Sequence, residues 1–139
     1  MATWSRGWFG LLKVLVIEEQ GATSHLIASV LPRRVAEVIW CRDVALAEVA
    51  TDLTEFDLIL VDPRTTGIAG IEGLAIADFL AARNAGGKTA FLLPAKAVEL
   101  RSVVRRRGTF ETLATPASTE DVLHLFARIG LPLAQGGVA

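Results

Sequence analysis

Four short apolar runs punctuate this chain at regular intervals: Leu12 to Ile17, Val35 to Trp40, Leu58 to Val61 and Thr89 to Leu93. Each has strand length, and polar segments with helical spacing separate them. The first intervening segment sets Ile27, Val30 and Leu31 on one face and stops at Pro32. The second carries Val44, Leu46 and Val49 and ends near Asp52. The third begins after Gly70, with Ile71, Leu74, Ala75 and Phe79 at helical spacing, and closes at the turn Asn84-Ala85-Gly86-Gly87. A fourth helix is expected from Lys96 to Arg107, halted by Gly108, and a fifth strand from Phe110 to Ala114. Ser118, with Asp121 three residues on, reads as a capping-box variant opening a fifth helix, Val122 to Ile129. Strands that are apolar throughout are buried on both faces, so the alternation predicts a parallel sheet covered by helices on each side. Residues 11–130 make one domain; residues 1–10 and 131–139 lie outside the pattern as an N-terminal extension and a C-terminal tail.

The polar residues at the ends of these strands carry the candidate chemistry. The first run ends on Glu18 and Glu19, and the third on Asp62. In neighbouring parallel strands these three acids meet at the carboxyl edge of the sheet, where open α/β folds place their sites. Like charges so close raise one another's proton affinity. A hard divalent cation held by oxygens relieves this, most simply Mg²⁺ with several of its waters retained. After Asp62 comes the loop Pro63-Arg64-Thr65-Thr66-Gly67-Ile68-Ala69-Gly70.

These residues resemble the receiver domain of bacterial response regulators, over Lys13 to Ile129. Glu18-Glu19 stand where that family has its acidic pair, Asp62 at the phosphoacceptor, and Gly67 and Gly70 at the loop glycines five and eight residues on. The resemblance implies a single doubly wound, flavodoxin-like sheet of five parallel strands with helices on both faces. It implies that an Asp62 oxygen attacks a phosphohistidine on a histidine kinase or phosphotransfer protein, with Mg²⁺ neutralising the transferred charge. Glu19 and Asp62 would touch the metal, Glu18 would act through water, and the backbone carbonyl of Arg64 would complete the set.

Three positions depart from the family pattern. Pro94 stands where a hydroxyl residue should follow the fourth strand, Thr115 replaces the lysine before Pro116, and Thr112 replaces the aromatic switch residue. Hydrogen bonds to charged groups are worth about 1.5–3 kcal/mol each. Losing the hydroxyl and the lysine removes roughly 3–6 kcal/mol, more than the ~1–3 kcal/mol of typical coupling between sites. The expected function is therefore an atypical stand-alone receiver in two-component signalling, acting through a downstream protein partner. The alternative is a pseudo-receiver that is never phosphorylated and serves for docking or dimerisation.

Composition narrows the picture. The 139 residues hold 52% hydrophobic and 21% charged residues, enough for one sizeable core and against disorder. A net charge of −1 gives no general attraction to nucleic acid. No apolar run approaches the ~20 residues of a membrane span. Lys13 and Glu18-Glu19-Gln20 interrupt what would otherwise resemble a signal peptide, and a lone Cys41 fits a reducing cytoplasm. Cys41 reads as a buried strand-end residue, and His25 and His124 have no partners at ligand spacing. No phosphate loop, dinucleotide fingerprint or nucleophile elbow occurs, so no enzyme is expected. A flavin-binding relative would need a phosphate loop where Glu18-Glu19-Gln20 would repel one. Arg101, Arg105, Arg106 and Arg107 form a solvated cationic face near a helix C-terminus or a docking site for an acidic partner or a phosphate-bearing ligand. A homodimer is expected through the fourth helix, fifth strand and fifth helix. Its apolar centre would be drawn from Val98, Val103, Val104, Leu113, Val122, Leu125 and Phe126, with Glu111, Glu120 and Asp121 near the arginines. Trp4, Trp8 and Phe9 are either a flexible arm or a cover for apolar surface on a protomer.

Overall fold

The computed structural model describes residues 11–66, 71–84, 86–107 and 111–130. The strands are β1 (Leu12–Ile17), β2 (Ala36–Cys41), β3 (Leu58–Val61), β4 (Lys88–Pro94) and β5 (Glu111–Thr115). The helices are α1 (Ala22–Val30), α2 (Val44–Leu53), α3 (Ile71–Arg83), α4 (Val98–Arg107) and α5 (Thr119–Arg128), with a 3₁₀ turn over Pro63–Thr66. All five strands are parallel, in the order β2-β1-β3-β4-β5. The chain steps from β1 to one side for β2 and to the other for β3, so the switch point of the sheet lies between β1 and β3.

Alternation along the strands divides the core into two layers. Leu12, Val14, Val16, Leu58, Leu60 and Leu92 pack with Ile27 of α1 and with Val122, Leu125 and Phe126 of α5. Leu15, Ile17, Ile59, Val61, Phe91 and Leu93 pack with Ala47 of α2, Leu80 of α3 and Val104 of α4. Every residue of β3 is buried, which is why that segment carries no polar position.

The strand bounds expected for β1 and β3 agree with the structure. β2 runs one residue later, β4 takes in Lys88 and Pro94, and β5 ends on Thr115. The expected first residue of β5, Phe110, lies outside the described residues, as do Gly67, Gly70, Ala85, Gly108 and both termini. α4 starts at Val98 rather than Lys96, because the Ala97 amide donates to the Pro94 carbonyl in a turn that precedes it. α5 starts at Thr119 because Ser118 is its N-cap: the Ser118 hydroxyl accepts from the Asp121 amide, and the Asp121 carboxylate accepts from the Ser118 amide.

Two helices turn unexpected faces outward. In α2 the small Ala47 is buried and Ala50 packs on the core, so the backbone approaches the sheet closely. Leu46, Val49 and Leu53 point to solvent at 50%, 55% and 80% exposure. In α3 Leu80 is buried, whereas Phe79 lies outside with the Arg83 guanidinium 5.2 Å from its ring centre. The surface of α4, β5 and α5 is correspondingly poor in apolar groups. Val104, Leu113, Val122, Leu125 and Phe126 are all consumed by the core and Val103 packs against it, leaving Val98 and Leu123 exposed.

The amino edge of the sheet is tied by polar side chains. Lys13 N donates to Asp57 Oδ2 at 2.8 Å, and Asn84 bridges Phe56 by accepting from its amide and donating to its carbonyl at 2.9 and 2.8 Å. Gly87 passes so close that a Cβ there would collide with the Phe56 carbonyl oxygen and the Asn84 amide.

Candidate functional site

Beyond the carboxyl ends of β1 and β3 lies a cleft of about 850 Å³ whose lining includes Glu18, Glu19, Arg42, Asp62, Arg64, Thr65, Thr115 and Pro116. Three of the expected groups, Glu18, Glu19 and Asp62, thus share one cavity with Arg64 and Thr115. Asp62 is 8% exposed. Its amide donates to the Ile17 carbonyl at 2.9 Å, which fixes it across the switch point from β1. Pro63 opens the 3₁₀ turn, and the Thr65 amide closes it on the Asp62 carbonyl at 2.9 Å.

That turn folds Arg64 back onto Asp62. Oδ1 accepts from the Arg64 amide at 2.9 Å and from Nε at 3.0 Å, and Oδ2 accepts from Nη2 at 2.6 Å. This is the two-point fork that suits a planar guanidinium to a carboxylate. The hydrogen bond to Asp62 holds the guanidinium pKa above its ordinary value, with partial burial opposing and the charges of Asp62 and Glu19 adding to the rise. The resemblance to receivers implies only a backbone carbonyl ligand from Arg64. The Asp-x-Arg spacing was the available signal for the side-chain contact, but only the tight turn makes two residues that close face each other.

Glu18 is buried and already employed. Its Oε2 accepts from the Ser24 amide at 2.8 Å in the first turn of α1. That helix needs the help: its N-cap is Gly21 at φ 77°, which has no side chain to cap it. A Cβ on Gly21 would also meet the Trp40 ring at 3.0–3.1 Å. Trp40 Nε1 in turn donates to the Glu18 carbonyl at 2.7 Å. Glu19 is exposed.

The donor set does not fit a divalent cation as it stands. Mg²⁺ requires free oxygens in near-octahedral arrangement. Both Asp62 oxygens are taken by a cation, one Glu18 oxygen caps a helix, and among the described residues no three acidic, His or Cys side chains group to hold a metal. His25 and His124 form no such group, and Cys41 is buried with its thiol pushed up by burial and by the nearby Asp43 charge.

Of the three positions read as departing from the family pattern, two stay together and one lies apart. Pro94 and Thr115 are register partners in adjacent strands, and the Ala95 amide donates to the Thr115 carbonyl at 3.3 Å. The Thr115–Pro116 peptide is cis. Thr112 lines a different hollow, about 260 Å³, with Arg101, Arg105 and Glu111 between α4 and β5.

Compared with solved structures, the chain matches a response regulator from Thermotoga maritima at 20% identity and TM-score 0.72, over 86% of this chain and 97% of that one. The fold is that of a response-regulator receiver domain. The chemotaxis response regulator CheY4 of Vibrio cholerae has the same receiver fold at 18% identity and TM-score 0.68, over 86% and 98% of the two chains. A response regulator protein from Burkholderia pseudomallei, with a phosphorylated aspartic acid, calcium ion and citrate, matches at 21% identity and TM-score 0.65, over 81% of this chain and 64% of that one. No protein-family model matches the sequence, and no curated protein sequence matches it significantly. The receiver fold places Asp62 and the acidic pair at the same sheet edge that the alternation of apolar runs anticipates.

Proposed function

We propose that this protein is a receiver-fold docking module of two-component-type signalling that acts by protein–protein contact without metal-dependent phosphorylation of Asp62. The observation that carries the reading is the pairing of Pro94 with Thr115. Where a hydroxyl and a lysine would report a phosphoryl group, the strands offer a proline ring, a neutral Thr and a backbone hydrogen bond. Nothing there supplies the ~3–6 kcal/mol that two charge-assisted bonds would contribute. The receiver-like pseudo-domain is thus favoured over the phosphorylated receiver, with Arg64 in place of Mg²⁺ at Asp62. Its partners are signalling proteins that recognise its surface: a histidine kinase or phosphotransfer protein upstream, or a target downstream. No helix among the described residues is long and apolar enough to cross a membrane. A cytoplasmic location and the absence of nucleic-acid binding belong to the same proposal.

The test is incubation with acetyl phosphate and Mg²⁺ beside a normal receiver, read by intact mass. This chain is expected to gain no phosphoryl group while the control does. A gain of one phosphoryl that disappears in Asp62→Asn would overturn the reading.

A further inference from the structure

We propose that Arg64 is the resident counter-ion of the acidic cleft and keeps divalent cations off Asp62. This deepens the docking-module reading by naming what controls the site. One residue supplies three donors to the carboxylate: its amide and Nε to Oδ1, and Nη2 to Oδ2. The fork leaves neither oxygen without a cationic donor, so a metal has to compete with the guanidinium for the carboxylate. Sharing the carboxylate would set two cations a few ångströms apart, where they repel each other. Glu18 is a poor second foothold for the metal, since one of its two oxygens, Oε2, already accepts from the Ser24 amide.

The turn makes the arrangement local. Pro63 restricts the backbone and the bond from the Thr65 amide to the Asp62 carbonyl closes it, so the turn brings Arg64 back to Asp62, with the Glu19 charge nearby favouring the same cation. The guanidinium lies at the cleft mouth, with its side chain 57% exposed against 12% for Asp62. Arg64 can therefore be replaced without opening the core, and its removal exposes the carboxylate to solvent cations.

The experiment is a Mn²⁺ titration of the full chain, read by paramagnetic broadening of amide signals in residues 18–21, 62 and 64–66. Wild type is expected to show no saturable broadening in the low millimolar range. Arg64→Gln should bind about tenfold more tightly or better, the scale of one lost charge-assisted bond. Arg64→Lys, which keeps the charge but not the fork, should fall between. Adding Asp62→Asn to Arg64→Gln should cancel the gain. Wild type that binds Mn²⁺ at Asp62 as tightly as Arg64→Gln overturns the proposal. So does an Arg64→Gln chain with an unchanged urea midpoint and no gain in affinity. Should Arg64→Gln disturb folding, Arg64→Lys decides by the same criterion. Phosphoryl labelling of wild type bears on the docking-module reading, whereas a flat Arg64→Gln titration overturns only the role of Arg64.

Discussion

Asn84 does as much for the frame of the site as any residue in the cleft. Its buried side chain answers both polar groups of Phe56, which has no ladder partner of its own at the entrance to β3. Asn84→Ala leaves a buried amide and a buried carbonyl without those bonds, at roughly 1–3 kcal/mol each. The expected loss is about 3 kcal/mol, measured as a lower urea midpoint at unchanged slope. Gly87→Ala should destabilise to a similar degree, because its Cβ has no room beside the same carbonyl. An Asn84→Ala chain as stable as wild type would show that water satisfies Phe56. In both variants the folded fraction should keep the Asp62–Arg64 fork, since the two sites occupy opposite edges of the sheet.

At the scale of elements, α5 gives the clearest pH prediction. Asp121 has its pKa held below the ordinary 3.8, first by the hydrogen bond from the Ser118 amide, then by that with the Ser118 side chain. A carboxylate depressed in the folded state stabilises it above the unfolded pKa, and that contribution is lost as pH falls through the lowered folded value. Protonation in strong acid should therefore loosen the first turn of α5. Amide protection there, measured against the intrinsic exchange rate at each pH, should fall as pH drops below the ordinary carboxylate range, and Asp121→Asn should flatten this dependence. Ser118→Ala should cost about 1 kcal/mol at neutral pH, as for other N-caps. The capping box was legible in the sequence because it is local. The outward face of α2 was not: Ala47 and Leu46 are both apolar, and only the closeness of the sheet selects the smaller.

For the molecule as a whole, the surface left over after folding governs association. The homodimer expected from the sequence through α4, β5 and α5 has lost most of its apolar centre to the core, and that face retains exposed Arg105 and Arg106 with Glu120 and Asp121. A contact built on such charges is screened by salt. Sedimentation should show self-association that weakens at high ionic strength and in Arg105→Glu, Arg106→Glu. A dimer indifferent to both, but lost in Val49→Lys, Leu53→Lys, would place the contact on the apolar stripe of α2 instead.

The alternation of apolar runs with helical segments was enough to determine the parallel sheet and the edge at which Glu18, Glu19 and Asp62 gather. Burial of apolar surface is non-directional, so composition and period carry it along the chain. The departures that the resemblance marks at Pro94, Thr112 and Thr115 are likewise matters of residue identity. What the carboxylates do was decided only by tertiary structure. Glu18 turns to the amide of Ser24 because α1 starts on a glycine, and Asp62 meets Arg64 because a 3₁₀ turn brings them together. Hydrogen bonds are directional and fail within fractions of an ångström. No reading of residue types can supply those distances, and they separate a metal site from a carboxylate already neutralised by its neighbour.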